Sequence, residues 1–201
     1  MKRVICTTGM KGTGKSFLSR IIAGHLTRGG ALTETIAFAD GVRNSLRTLL
    51  RSQGLSDNEI LEILHTAKEE PKFEADQCGR DLMVDFSQDF MKKFFGNDVW
   101  VKGTARDIKA KFESGADYIL IDDLRFDNEL EFIQEQGIIE GYEVIVLGLS
   151  GTTIFKGEQI DFSVSPDKIH THILTDGKDF TFPGGTRSDF LGTLDKHIKG
   201  E

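Results

Sequence analysis

Residues 9–16, Gly9-Met10-Lys11-Gly12-Thr13-Gly14-Lys15-Ser16, match GxxxxGK[ST] at every fixed position. Before them runs Arg3–Thr8, short and rich in β-branched residues, which reads as a strand. After them Leu18, Ile21, Ile22 and Leu26 recur at i, i+3, i+4 and i+8, the spacing of an amphipathic helix, and Gly29-Gly30 supplies its stop. A strand, a glycine loop and a helix in that order confine the chain to α/β architectures. The glycines let backbone N–H groups turn inward around phosphates. Lys15 can then reach the β- and γ-phosphates, and the Ser16 hydroxyl can ligate a hard divalent ion. The positive end of the helix dipole adds to the attraction. Lys11 has two readings, a phosphate contact or a solvated loop lysine.

The rest of the chain repeats the alternation. Glu34–Ala39, Tyr118–Ile121 and Glu143–Leu149 are brief apolar runs, and His172–Thr175 is a weaker fifth. Runs of this kind suit strands covered on both faces. Helices are expected between them. Val42, Leu46, Leu49 and Leu50 make one stripe, and Ser56-Asp57-Asn58-Glu59 is a capping box opening a helix through Leu64. Leu82, Phe86, Phe90 and Phe94 recur every four residues, and further helices are expected over 104–113, 128–135 and 188–198. The expected fold is therefore α/β in three layers, with a five-stranded parallel sheet and a helical insertion after the second strand. One domain is expected over 1–201, with the insertion at roughly 41–115 and a lid and C-terminal region at roughly 149–201.

Composition narrows the partners. At 201 residues, with 38% hydrophobic and 28% charged residues, the chain reads as an ordinary globular protein. Its formal charge of −7 repels a nucleic-acid backbone. Cys6 and Cys78 lack CxxC spacing, which suits a reducing compartment. No apolar run approaches the ~18 residues of a membrane span. A cytoplasmic protein acting on small molecules is expected, without nucleic acid or membrane partners, and a homodimer is left open.

Tyr118-Ile119-Leu120-Ile121 ends in Asp122-Asp123. One carboxylate there, with Ser16, would suit Mg²⁺, which takes oxygen ligands. Neighbouring strand residues point to opposite faces, so the two aspartates cannot serve equally. The competing role is capping the following helix. Arg125 comes next, at the carboxyl edge where open α/β sheets bind ligands. Arg43, Arg47 and Arg51 repeat at helical spacing after Phe38-Ala39-Asp40. Arg43, nearest the sheet edge, is best placed for a substrate phosphate, whereas Arg47 and Arg51 read as a solvated face. Arg80 opens the fourth helical region. His170 and His172 share a face but lack metal-ligand company. No NKxD segment, which would read guanine, is present.

Four segments, GMKGTGKS (9–16), FADGVR (38–43), GRDLM…FGNDVWV (79–101) and YILIDDLRFDNE (118–129), make the chain resemble the bacteriophage deoxynucleoside monophosphate kinases. The last matches a D-x-R-F-x-N-E signature at Asp123, Arg125, Phe126, Asn128 and Glu129. The resemblance implies a P-loop kinase using ATP and Mg²⁺, with deoxynucleoside monophosphates as acceptors. It implies that Gly9, Lys11, Gly12, Thr13, Gly14, Lys15 and Ser16 bind ATP and that Lys15, Asp123 and Arg125 are catalytic. Ser16 and Asp123 would hold the metal, while Asp40, Arg43, Arg80, Trp100 and Arg125 would bind substrate. Core packing is the alternative for Trp100.

The chain departs from that family at Val84 and Ser87-Gln88-Asp89, and Gly148-Leu149-Ser150 carries no arginine after the fourth strand. Beyond Phe126 the one arginine is Arg187, which leaves Lys156 and Lys168 as substitutes for lid arginines. Two other readings stay open: a P-loop kinase of another phosphorylated metabolite, and a nucleotide-binding protein with weakened catalysis.

Overall fold

A computed structural model describes residues 1–10, 12–73, 76–151, 164–176, 179–183, 185–186 and 189–199. Lys11, Lys156 and Arg187 lie outside the described residues. The chain forms two compact units, one from residues 1–37 and 105–201 and one from residues 38–104.

The first unit is built on strands β1 (Arg3–Gly9), β2 (Thr33–Ile36), β3 (Tyr118–Ile121), β4 (Glu143–Gly151), β5 (Thr171–Asp176) and β6 (Asp179–Thr181). They form one sheet in the order β2-β3-β1-β4-β5-β6. The first five are parallel, with Cys6 level with Ile121 and Val146, while β6 runs antiparallel to β5. The sheet thus has six strands where five were expected. The extra strand is three residues long, too short to leave a periodic signal, and it covers the edge of β5. The second strand also ends earlier than expected, at Ile36. Phe38-Ala39-Asp40 open a helix instead, with Asp40 in a first turn that favours acidic side chains.

Both sheet faces are buried, as the unbroken apolar runs require. Ile5, Leu120, Ile145, Leu147, Leu149 and Ile173 pack with Leu18, Ile22 and Leu26 of helix α1 (Lys15–Arg28) and with Phe190, Leu194 and Ile198 of α8 (Phe190–Lys199). The alternate residues Val4, Cys6, Ile119, Ile121 and Val146 are buried too. Helix α7 (Asp127–Glu140) packs on β4, and Gly137 lets it approach closely: a Cβ there would lie 2.7 Å from the Tyr142 carbonyl oxygen.

The second unit is helical. It contains α2 (Phe38–Ser52), α3 (Asp57–Leu61) running into π-helical turns at Glu62–Thr66, and α4 (Gly79–Asp85) continuing through π-helical turns at Phe86–Lys92 into α5 (Lys93–Phe95). The opening of α6 (Val99–Glu113) completes it. The Ser56/Glu59 capping box is present at the start of α3. Val42, Leu46, Leu50, Ile60, Ile63 and Leu64 form the core, with Leu82, Phe86 and Trp100 packed against it. Gly79 is another close approach, since a Cβ there would fall 1.8 Å from the Ile63 carbonyl oxygen. The four-residue phenylalanine repeat is a ladder of rings 5.8 Å and 5.2 Å apart, but only Phe86 reaches the core; Phe90 and Phe94 are exposed. Among the described residues no helix is long and apolar enough to cross a membrane.

Candidate active site

In the first unit the glycine loop leaves the carboxyl end of β1 and turns into α1. Gly9, Gly12 and Gly14 have φ of 143°, 88° and 87°, values that L side chains rarely adopt. Gly9 is also fixed by proximity, because a Cβ would lie 2.4 Å from the Leu149 carbonyl oxygen on β4. The Thr13 hydroxyl donates to the Met10 carbonyl at 2.9 Å and closes the turn. Gly14 caps α1, whose first turn holds no acidic residue, so its positive end is unopposed. Beneath the loop, the Phe180 ring of β6 is 3.4 Å from where a Gly14 Cβ would be, and it packs on Phe17 and Phe190.

The Lys15 ammonium folds back over this loop. It donates to the carbonyl oxygens of Gly9 at 2.7 Å and Met10 at 2.6 Å. Burial lowers its pKa, the Arg125 guanidinium lowers it further, and Asp122 and then Asp123 pull it back up. Those four side chains therefore share one electrostatic neighbourhood. Folding that depresses a lysine pKa costs stability while the group is charged. That cost shrinks as pH rises from the folded pKa towards 10.5. A bound phosphate would oppose the shift.

Asp122 and Asp123 follow the end of β3, in the loop that leads to α7. Of the two, Asp122 acts the more strongly on the Lys15 ammonium. Asp123 acts on Cys6 and Glu129, raising the pKa of both after burial has done most of it. The Cys6 thiol, fully buried, is held well above its usual range and is inert. Ser16 is exposed in the first turn of α1. The Ser16 hydroxyl and a neighbouring carboxylate have the hard-oxygen chemistry of Mg²⁺. Among the described residues no group of three or more His, Cys, Asp or Glu could hold a metal. Lys168 is engaged elsewhere, with Glu131 at 2.6 Å and Asp127 at 3.3 Å on α7.

In the second unit Asp40, Arg43 and Trp100 form a cluster. Arg43 donates from Nη1 to Asp40 Oδ1 at 2.9 Å. Gly41 makes room for the indole, since a Cβ would lie 2.9 Å from Trp100 Cε3. Among the described residues, two buried donors here find no acceptor: Arg43 Nε and Trp100 Nε1. Each such group costs roughly 1–3 kcal/mol unless something accepts from it. The Trp100 ring, partly buried, packs against the core of this unit 6.2 Å from Phe86 and carries an unused donor. His65, which carries no sequence signal because only the fold brings it near α2, has its pKa lowered by burial and then by Arg43 and Arg47. Arg47 donates to Asn44 and Arg51 pairs with Asp57 at 2.5 Å. Arg80 pairs with Glu69 at 2.8 Å.

No family model and no curated protein matches the chain. Among solved structures it is similar to the APS kinase of Mycobacterium tuberculosis, at 11% identity and TM-score 0.48, covering 98% of each chain. It is similar to a sugar kinase from a Janibacter species at 14% identity and TM-score 0.43, covering 99% of this chain and 95% of that one. A third is the tunicamycin resistance protein of Deinococcus radiodurans, at 12% identity and TM-score 0.46, covering 98% of this chain and 96% of that one. At these scores the functional reading rests on the loop and the side chains around it.

Proposed function

We propose that this protein is an ATP-dependent kinase that transfers the γ-phosphate to a deoxynucleoside monophosphate, giving a deoxynucleoside diphosphate and ADP. The observation that carries the reading is the glycine loop, with the Lys15 ammonium laid on two loop carbonyls beside Arg125 and the aspartate pair. An ammonium in that position donates only to neutral carbonyls, and triphosphate oxygens would serve it better. Asp40, Arg43 and Trp100 would hold the acceptor. Their two unmatched donors call for a ligand rich in acceptors, as a nucleotide is. The acceptor's own phosphate oxygen, already ionised near neutral pH, attacks the γ-phosphorus as the bond to the β-phosphate oxygen breaks. No general base is needed, and the protein contributes positioning and positive charge. Mg²⁺, when bound, would neutralise charge on the phosphates. The choice of deoxyribose follows from the family resemblance.

Steady-state kinetics with dTMP, dGMP, dCMP, dAMP, GMP and thymidine as acceptors tests the proposal. Turnover with at least one deoxynucleoside monophosphate and none with thymidine is expected. Efficient phosphorylation of thymidine, or of no monophosphate, overturns it.

The metal assignment has its own test. The signature position favours Asp123, whereas the field at Lys15 favours Asp122. Asp122→Asn is expected to raise the half-saturating Mg²⁺ concentration more than Asp123→Asn, by roughly tenfold, the loss of one charge-assisted contact. A larger rise for Asp123→Asn returns the role to Asp123.

A further inference from the structure

We propose that Glu129 is a positioning residue that sets the direction of Arg125, an inference that rests on the kinase reading above. Residues 122–126 join β3 to α7 as a short loop with no regular structure. Leu124, 1% exposed, pins the middle of this loop to the interior while Arg125 stays exposed. One oxygen of Glu129, Oε2, accepts from the backbone N–H of both Arg125 at 2.9 Å and Phe126 at 3.1 Å. Fixing two successive amides on one atom fixes the peptide plane between them, and with it the Cα–Cβ direction of Arg125. Glu129 is itself held by α7, whose Leu130 and Ile133 are fully buried.

Its carboxylate is no candidate for touching phosphate. It is half-buried, repels anions, and has one oxygen committed to the loop. Burial and the Asp123 charge both oppose its ionisation, and the two N–H bonds and the Arg125 charge offset them. The two amides it holds flank the Arg125 Cα, so the contact fixes the loop as well as capping α7. Through Arg125 the effect reaches Lys15, whose ammonium senses that guanidinium.

The test uses Glu129→Ala, Glu129→Asp and Glu129→Gln in the full chain. Glu129→Ala is expected to lower kcat by about 10–100-fold, the scale of an ångström-sized misplacement, with the KM for ATP within about twofold. Glu129→Asp, which withdraws the oxygen by one methylene, should behave like the alanine variant. Glu129→Gln should restore most of the rate, because its amide oxygen can accept both N–H groups. In an Arg125→Ala background the Glu129→Ala loss should largely vanish, as for residues acting in series. A readout independent of turnover is amide hydrogen exchange at Arg125 and Phe126: slow in the parent and in Glu129→Gln, fast in Glu129→Ala and Glu129→Asp. Unchanged exchange at those amides, or a full Glu129→Ala loss persisting without Arg125, overturns the inference. If the parent phosphorylates no acceptor, the kinase reading fails, and the exchange arm still decides whether Glu129 holds the loop.

Discussion

Lys15→Ala is expected to reduce phosphoryl transfer by about a thousandfold while the chain stays folded, the upper range for removing one preorganised charge from a developing anion. The ammonium is a cation whose position is already set by the loop, 2.7 Å and 2.6 Å from two of its carbonyls. Alanine would leave those carbonyls to water. The shape of the loop does not depend on Lys15: it comes from three glycines at positive φ, the Thr13–Met10 bond and the approach of Gly9 to β4. Circular dichroism and thermal melting should therefore match the parent. Lys15→Arg should rescue poorly, because a guanidinium is too broad for a seat made by two carbonyls. Near-parental turnover in a folded Lys15→Ala chain would show that the loop binds something without catalysing its transfer.

The second large effect concerns the acceptor. Arg43→Ala is expected to raise the KM for the monophosphate by about 10–100-fold, matching 1.5–3 kcal/mol for a charge-assisted pair. The KM for ATP should move less than threefold. Arg43 has its Nη1 on Asp40 and a buried Nε without an acceptor, so its fork is oriented and partly unused. Arg43→Lys should recover little, since a lysine offers a point charge in place of a fork. Equal rises in both KM values would point to a structural role for the Arg43–Asp40 pair. No rise in either would remove Arg43 from the acceptor site.

The features legible in the chain are those fixed by short-range spacing. The glycine loop, β1, β3, α1 and the Ser56/Glu59 box each follow from a pattern within a dozen residues. What escaped depends on distant partners. The run Glu34–Ala39 is apolar enough for a strand throughout, yet Phe38 belongs to the core beginning α2, so the strand stops at Ile36. The phenylalanine repeat marks a helix, but spacing does not say how far the repeat has something to pack on, and Phe94 is 66% exposed. His65 and Glu129 gain their interest from neighbours that the fold supplies. The pairing of Arg51 with Asp57 shows the opposite case, in which spacing suggests a charged stripe and a nearby partner takes it up.

The Phe180 ring under Gly14 and Phe17 bears on how this protein is made. The glycine loop lies far upstream of β6 in the chain, but one of its supports is on that strand, and that support leans on Phe190 of α8. A nascent chain that has emerged only through β4 holds all the loop glycines without that ring beneath them. If the loop binds nucleotide as proposed, its seat gains this support only when β6 is in place, so nucleotide is expected to stabilise the assembled fold by mass action rather than to template the loop alone.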